Sequence, residues 1–212
     1  MRGILCKGRL RRDTFPSMNR HPRDMTTMAA EGLPRRRFTV AEFEAMTAAG
    51  ILDHHERIEL IGGDGVVMSP KGDPHEILKA ALNEHWVRTL PPHQMFTIAT
   101  TLRLTPGTYL EPDFVFYPKA TGIAGLNTAT ARLVVEIADS SLGYDLGRKA
   151  ALYASFGIAE LWVIDAVKLV THIHREPTAD GYRSVVTLGK DARLVPQVDA
   201  GLAVTLGMLE LR

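Results

Sequence analysis

The stretch Arg132 to Lys149, RLVVEIADSSLGYDLGRK, decides how the rest of the chain is read. It opens with the apolar run Leu133-Val134-Val135, which reads as a buried strand and carries Glu136 into the interior. An ionised carboxylate inside a buried strand costs several kcal/mol unless a cation compensates it. A bound metal ion or a lysine held close by supplies that compensation. The stretch then turns at Ser140-Ser141 and enters a helix expected over residues 145–156, stopped by Gly157, with Asp145 and Lys149 one turn apart on one face. A strand, a turn and a helix thus bring acids and a lysine together.

Upstream, Asp113 follows Pro112 and precedes Phe114-Val115-Phe116, an acid at the mouth of a second apolar strand. Two acids arriving on neighbouring strands suit Mg²⁺, which takes oxygen ligands, commonly one or two carboxylates with water and a phosphate oxygen. Each feature also has a plainer reading. A strand acid is often a solvent-facing pleat residue, and Asp145 with Lys149 is a helix-surface ion pair worth a few tenths of a kcal/mol. Taken together, the four residues point to a metal-dependent centre without naming a reaction.

The pattern of elements is mixed. Thr39 with Glu42 three residues on is a capping box, predicting a helix that stops at Gly50. Residues 57–61 and 66–68 read as a hairpin around Gly62-Gly63-Asp64-Gly65. That glycine turn lacks the spacing and the Lys-Ser/Thr of a phosphate-binding P-loop. Residues 74–90 suit an amphipathic helix closed by Pro91-Pro92. Strands follow over 96–104 and 109–117, then a loop, the buried strand 133–137, the helix, and strands over 161–164, 169–174 and 182–188. The fold class is α/β, a mixed β-sheet flanked by helices.

The chain of 212 residues accommodates one domain, expected over 37–212, behind a disordered basic arm over 1–36. Met18, Met25 and Met28 each offer an alternative start within that arm. Net charge is +1, but residues 1–37 hold ten basic and three acidic side chains, leaving 15 basic and 21 acidic beyond them, a balance of −6. An acidic body does not provide the basic face usual in nucleic-acid-binding domains. No apolar run approaches a membrane span. The single cysteine, Cys6, fits a reducing cytoplasm.

The segments ERIELIGGDGVVMSP, then His75, then LEPDFVFY, then LVVEIADSSLGYDLGRKAALYASFGIAELWVID follow one another in the order of the Uma-two family. The chain resembles that family of bacterial endonucleases, in the PD-(D/E)XK superfamily, across about residues 37–206. The resemblance implies a restriction endonuclease-like core and metal-dependent hydrolysis of DNA phosphodiester bonds. It places the family's strand acid on Glu59, the aspartate after proline on Asp113 and the glutamate of the E-x-K strand on Glu136. Position 138, where the superfamily motif has lysine, is Ala138, and the lysine moves to Lys149 on the following helix. The turn position that often carries aspartate in the family is Gly62.

On this reading Asp113 and Glu136 are metal ligands for Mg²⁺ or Mn²⁺, Glu59 is a further acid near the metal, and Lys149 orients the attacking water. Asp145 and His75 support them. DNA is the expected partner, a homodimer the expected assembly and the cytoplasm the expected location. Two rivals are a binding module of this fold that does not cleave, favoured by the acidic body, and a metal-dependent hydrolase of another phosphate ester. Tyr153, Trp86 and Trp162 read as core aromatics.

Overall fold

The computed structural model describes residues 36–53 and 57–212. The expected disordered arm therefore lies outside the described residues except for Arg36, which pairs with Glu42 at 2.6 Å. In chain order come α1 (Val40–Ala48), β1 (Ile58–Ile61), β2 (Asp64–Val67) and α2 (Asp73–Thr89). Strands β3 (Gln94–Ile98), β4 (Leu102–Thr105), β5 (Thr108–Leu110), β6 (Phe114–Pro118) and β7 (Leu133–Ala138) follow. A helical run over residues 142–155, called the site helix below, leads to β8 (Glu160–Asp165), β9 (Val170–Thr178) and β10 (Gly181–Leu188).

These strands form two sheets. The larger has the order β10-β9-β8-β7-β6-β3, and the smaller β2-β1-β5-β4. Among the described strands only β7 and β8 pair in parallel, which requires a crossover, and the site helix is that crossover. Every residue of β7 is buried, because both faces of the large sheet are covered. Leu133, Val135 and Ile137 pack with Trp86 of α2, while Val134 and Ala138 pack with Ala150 and Tyr153 of the site helix. In the smaller sheet, Leu60 and Tyr109 pack on Val40 and Phe43 of α1.

The local signals explain most boundaries. The Thr39–Glu42 capping box is present, and Gly50 takes φ +70° after α1. The hairpin turn is tighter than expected: only Gly62 and Gly63 lie outside the strands, at φ +61° and +88°. Two successive positive φ values match the right-handed twist of the strands and are open to glycine at little cost.

Two expectations fail in the same way. Segments 96–104 and 109–117, expected as single strands, each split between the sheets: β3 and β6 join the large one, β4 and β5 the small one. The breaks face each other, with the Ala99 amide donating to the Asp113 carbonyl at 3.1 Å. Pro112, without an N–H, cannot continue a ladder at its own break, whereas period-two patterning carries no sign of which sheet a residue joins. The site helix also differs. It begins at Leu142, three residues before the expected Asp145, and Asp145–Lys149 form a π turn before regular α-helix resumes over Ala150–Ser155.

Candidate active site

Strand geometry delivers the first acids. Side chains of β7 alternate, so Glu136 shares the face of Val134 and Ala138 and points at the site helix. On β1, Glu59 alternates with Leu60, which faces α1, and so lies with Ile61 on the side of the large sheet. The π turn brings Lys149 between these acids. Its Nζ lies 2.9 Å from Glu59 Oε1, 3.0 Å from Glu136 Oε1 and 3.9 Å from Asp145 Oδ1. Such wide turns recur at functional sites. Lys149 thereby ties both sheets and its own helix together.

Neighbouring groups fix the acids. Tyr153, one turn beyond Lys149, donates its hydroxyl to Glu136 Oε1 at 2.6 Å. Ser141 donates to Asp145 Oδ2 at 2.5 Å, and the Glu111 amide to Glu59 Oε1 at 3.0 Å. Among the described residues, Glu59 Oε2 is buried without a hydrogen-bond partner. One ammonium thus faces three buried carboxylates, and burial together with that imbalance sets the shifts. Burial, helped by Asp145, Asp113 and Glu59 and resisted by Lys149, pushes Glu136 up to about 8. Burial likewise raises Asp145. Lys149 is raised despite its burial, because Glu136, Glu59 and Asp145 surround it, so its charge is secure.

Asp113 forms a second cluster across the cleft. Its neighbour Phe114 pairs with Val135 on β7, and Oδ2 accepts the Ile137 amide at 2.9 Å. The same oxygen lies 3.0 Å from His75 Nε2, in the first turn of α2. Oδ1 accepts Lys71 Nζ at 2.5 Å. Burial favours the neutral acid, but His75 and Lys71 outweigh it and hold Asp113 well below the usual carboxylate range. His75 Nδ1 meets Glu76 Oε1 at 3.1 Å, which fixes its ring.

The two clusters share a cavity of about 30 Å³ lined by Lys71, His75, Asp113, Glu136, Asp145 and Lys149. That volume holds a water or an ion but not a nucleotide, so a substrate would lie across its mouth. Among the described residues no three His, Cys, Asp or Glu side chains converge as a complete metal-binding cluster. Two carboxylates from neighbouring strands nevertheless fit a hard cation that completes its shell with water. A divalent charge would offset the burial and the neighbouring acids that raise Glu136 and Asp145. Glu59 is not among the residues that line the cavity; it reaches the site through Lys149, whose Nζ it binds directly.

A family model described as "Putative restriction endonuclease", Uma2, matches residues 40–207. The chain belongs to the Uma2 family. Its fold also matches a crystal structure from Anabaena variabilis described as a putative nuclease of the DUF820 family. The TM-score is 0.60 at 14% identity, covering 80% of this chain and 96% of that one. No curated protein matches it. The mixed α/β architecture is thus of the restriction endonuclease-like kind.

Within this Uma2 chain, the sequence-derived residues divide between the clusters. Glu59, Glu136, Asp145 and Lys149 meet at one lysine, while Asp113 and His75 meet at the other side of the cavity. Sequence reasoning missed three contributors. Tyr153, expected only as core, binds Glu136; its helical spacing from Lys149 was the available signal. Asp139 accepts the Gly72 amide at 2.8 Å and anchors the start of α2 to the end of β7. Lys71, in a loop between β2 and α2, carried no periodic signal. Among the described residues no helix is long and apolar enough to cross a membrane.

Proposed function

We propose that this chain is a metal-dependent endonuclease that hydrolyses DNA phosphodiester bonds. The observation that carries the reading is the cavity in which Asp113 and Glu136 face each other's cluster beside a charged, buried Lys149. Asp113 and Glu136 would hold Mg²⁺ or Mn²⁺. Bound there, the ion would act as Lewis acid on the phosphate and lower the pKa of a coordinated water. Lys149, pinned by Glu59 and Asp145, orients the attacking water and offsets charge developing on the phosphoryl oxygens. Tyr153 holds the Glu136 carboxylate in its rotamer, and Ser141 holds Asp145. Family membership supports the nuclease class, and DNA as substrate and pairing of two copies to cut both strands extend it.

Supercoiled plasmid incubated with the protein and Mg²⁺ or Mn²⁺ is expected to become nicked or linear, and EDTA is expected to stop this. Cleavage of small phosphate esters but of no DNA would redirect the reading to another phosphodiester substrate. Absence of any cleavage would favour a binding module, as the acidic body suggests.

A further inference from the structure

Asp113 is not free to receive a metal while Lys71 stays where it is. Its Oδ2 is already committed to the Ile137 amide and faces His75 Nε2. Oδ1 remains for a metal, and that oxygen is held by the Lys71 ammonium at 2.5 Å. A divalent ion and an ammonium on one oxygen would stand about 4 Å apart and repel strongly in a partly buried site. One of them must leave.

The loop around Lys71 shows which part can move. The Met68 amide donates to the Arg57 carbonyl at 2.8 Å, and Arg57 Nη1 donates to the Ser69 carbonyl at 3.3 Å. On the other side Gly72 is gripped by Asp139, so closely that a Cβ at Gly72 would meet Asp139 Oδ2 at 2.6 Å. The backbone is therefore pinned on both sides of Lys71. Its side chain is 15% exposed, against 4% for Lys149, and a lysine stem has four rotatable bonds. Lys149 is enclosed and stays; Lys71 borders solvent and can swing.

We infer that Lys71 is a displaceable counter-ion: it occupies Asp113 Oδ1 in the metal-free site and yields that oxygen when a divalent cation enters, moving to the cavity mouth to meet a phosphodiester oxygen. The inference rests on the metal-dependent reading above and adds a residue to it. The two lysines then have separate duties, Lys149 as a fixed charge inside and Lys71 as a mobile one outside. The exchange also keeps the Asp113 carboxylate paired before metal arrives.

Calorimetric titration of the full chain with Mn²⁺ alone, without DNA, tests this. Lys71→Met, which keeps the length and removes the charge, is expected to bind Mn²⁺ roughly tenfold more tightly than wild type. Lys71→Arg, which keeps the competing charge, is expected to stay within about threefold of wild type. At saturating Mn²⁺ the methionine variant is expected to cut plasmid at least tenfold more slowly, through loss of the phosphate contact. Wild type that binds Mn²⁺ while Lys71→Met binds it equally or more weakly would overturn the counter-ion role and leave the nuclease reading standing. Failure of both proteins to bind Mn²⁺ would overturn both.

Discussion

Glu136 and Glu160 are buried glutamates on the adjacent parallel strands β7 and β8, 3% and 1% exposed. Their surroundings are opposite. Glu160 Oε1 accepts from Trp162 Nε1 at 2.8 Å and from Arg175 Nε and Nη2 at 3.1 and 2.7 Å, and Oε2 accepts the Gln197 amide at 2.7 Å. Glu136 has Tyr153 and a shared lysine, both on Oε1, with three other acids nearby. A buried acid with its donors supplied on both oxygens is structural. A buried acid crowded by other acids and opening on a cavity retains a demand for positive charge. The difference lies in the partners, not in the strand or the burial.

That contrast can be broken by substitution. Glu160→Ala would leave Arg175 and the Gln197 amide without their acceptor, and is expected to destabilise the fold by about 3–5 kcal/mol in urea or thermal unfolding. Glu136→Gln removes a charge that burial already opposes, so it is expected to change stability by less than about 1 kcal/mol. Equal destabilisation by the two would erase the distinction.

A buried histidine makes the next largest effect. His174 is pushed down to about 4 by burial and by His172, and its Nε2 has no hydrogen-bond partner among the described residues. The unfolded chain protonates this residue near 6.5 and the folded one only near 4, so the unfolded state binds more protons between those values. Stability attributable to His174 is full above pH 6.5 and is lost as pH falls toward 4, by at most about 3 kcal/mol. His174→Phe should flatten this acid limb of the stability profile; an unchanged limb would place the titration elsewhere. Smaller again is Tyr153→Phe, expected to slow cleavage about tenfold, with stability lowered by about 1 kcal/mol through one lost hydrogen bond. A pure stability effect would mark Tyr153 as core only.

The comparison also shows why part of the molecule was legible in sequence. Capping residues, paired prolines and glycines at positive φ act locally, so α1, α2 and the β1–β2 turn fell near their expected places. The 133–137 strand announced itself by its unbroken apolar run, and the acid within it was visible for the same reason. The splitting of 96–104 and 109–117 between two sheets was not visible, since both halves keep the same alternation. The π turn was hidden too, because spacing along a helix does not reveal an inserted residue. Ala138 stands where the superfamily motif has lysine; the family resemblance moves that lysine to Lys149, but only the third dimension shows Lys149 Nζ at 3.0 Å from Glu136. Glu160 passed unnoticed although it is as deeply buried, and Lys71 could not be placed by any pattern.

The most direct test compares plasmid cleavage by wild type, Glu136→Gln, Lys149→Met and the conservative Glu160→Gln, at equal concentrations of folded protein with Mg²⁺ or Mn²⁺. The account predicts cleavage by wild type and by the Glu160 variant, and loss of roughly 10²–10³-fold or more in each of the other two. Cleavage undiminished in both Glu136→Gln and Lys149→Met would contradict it.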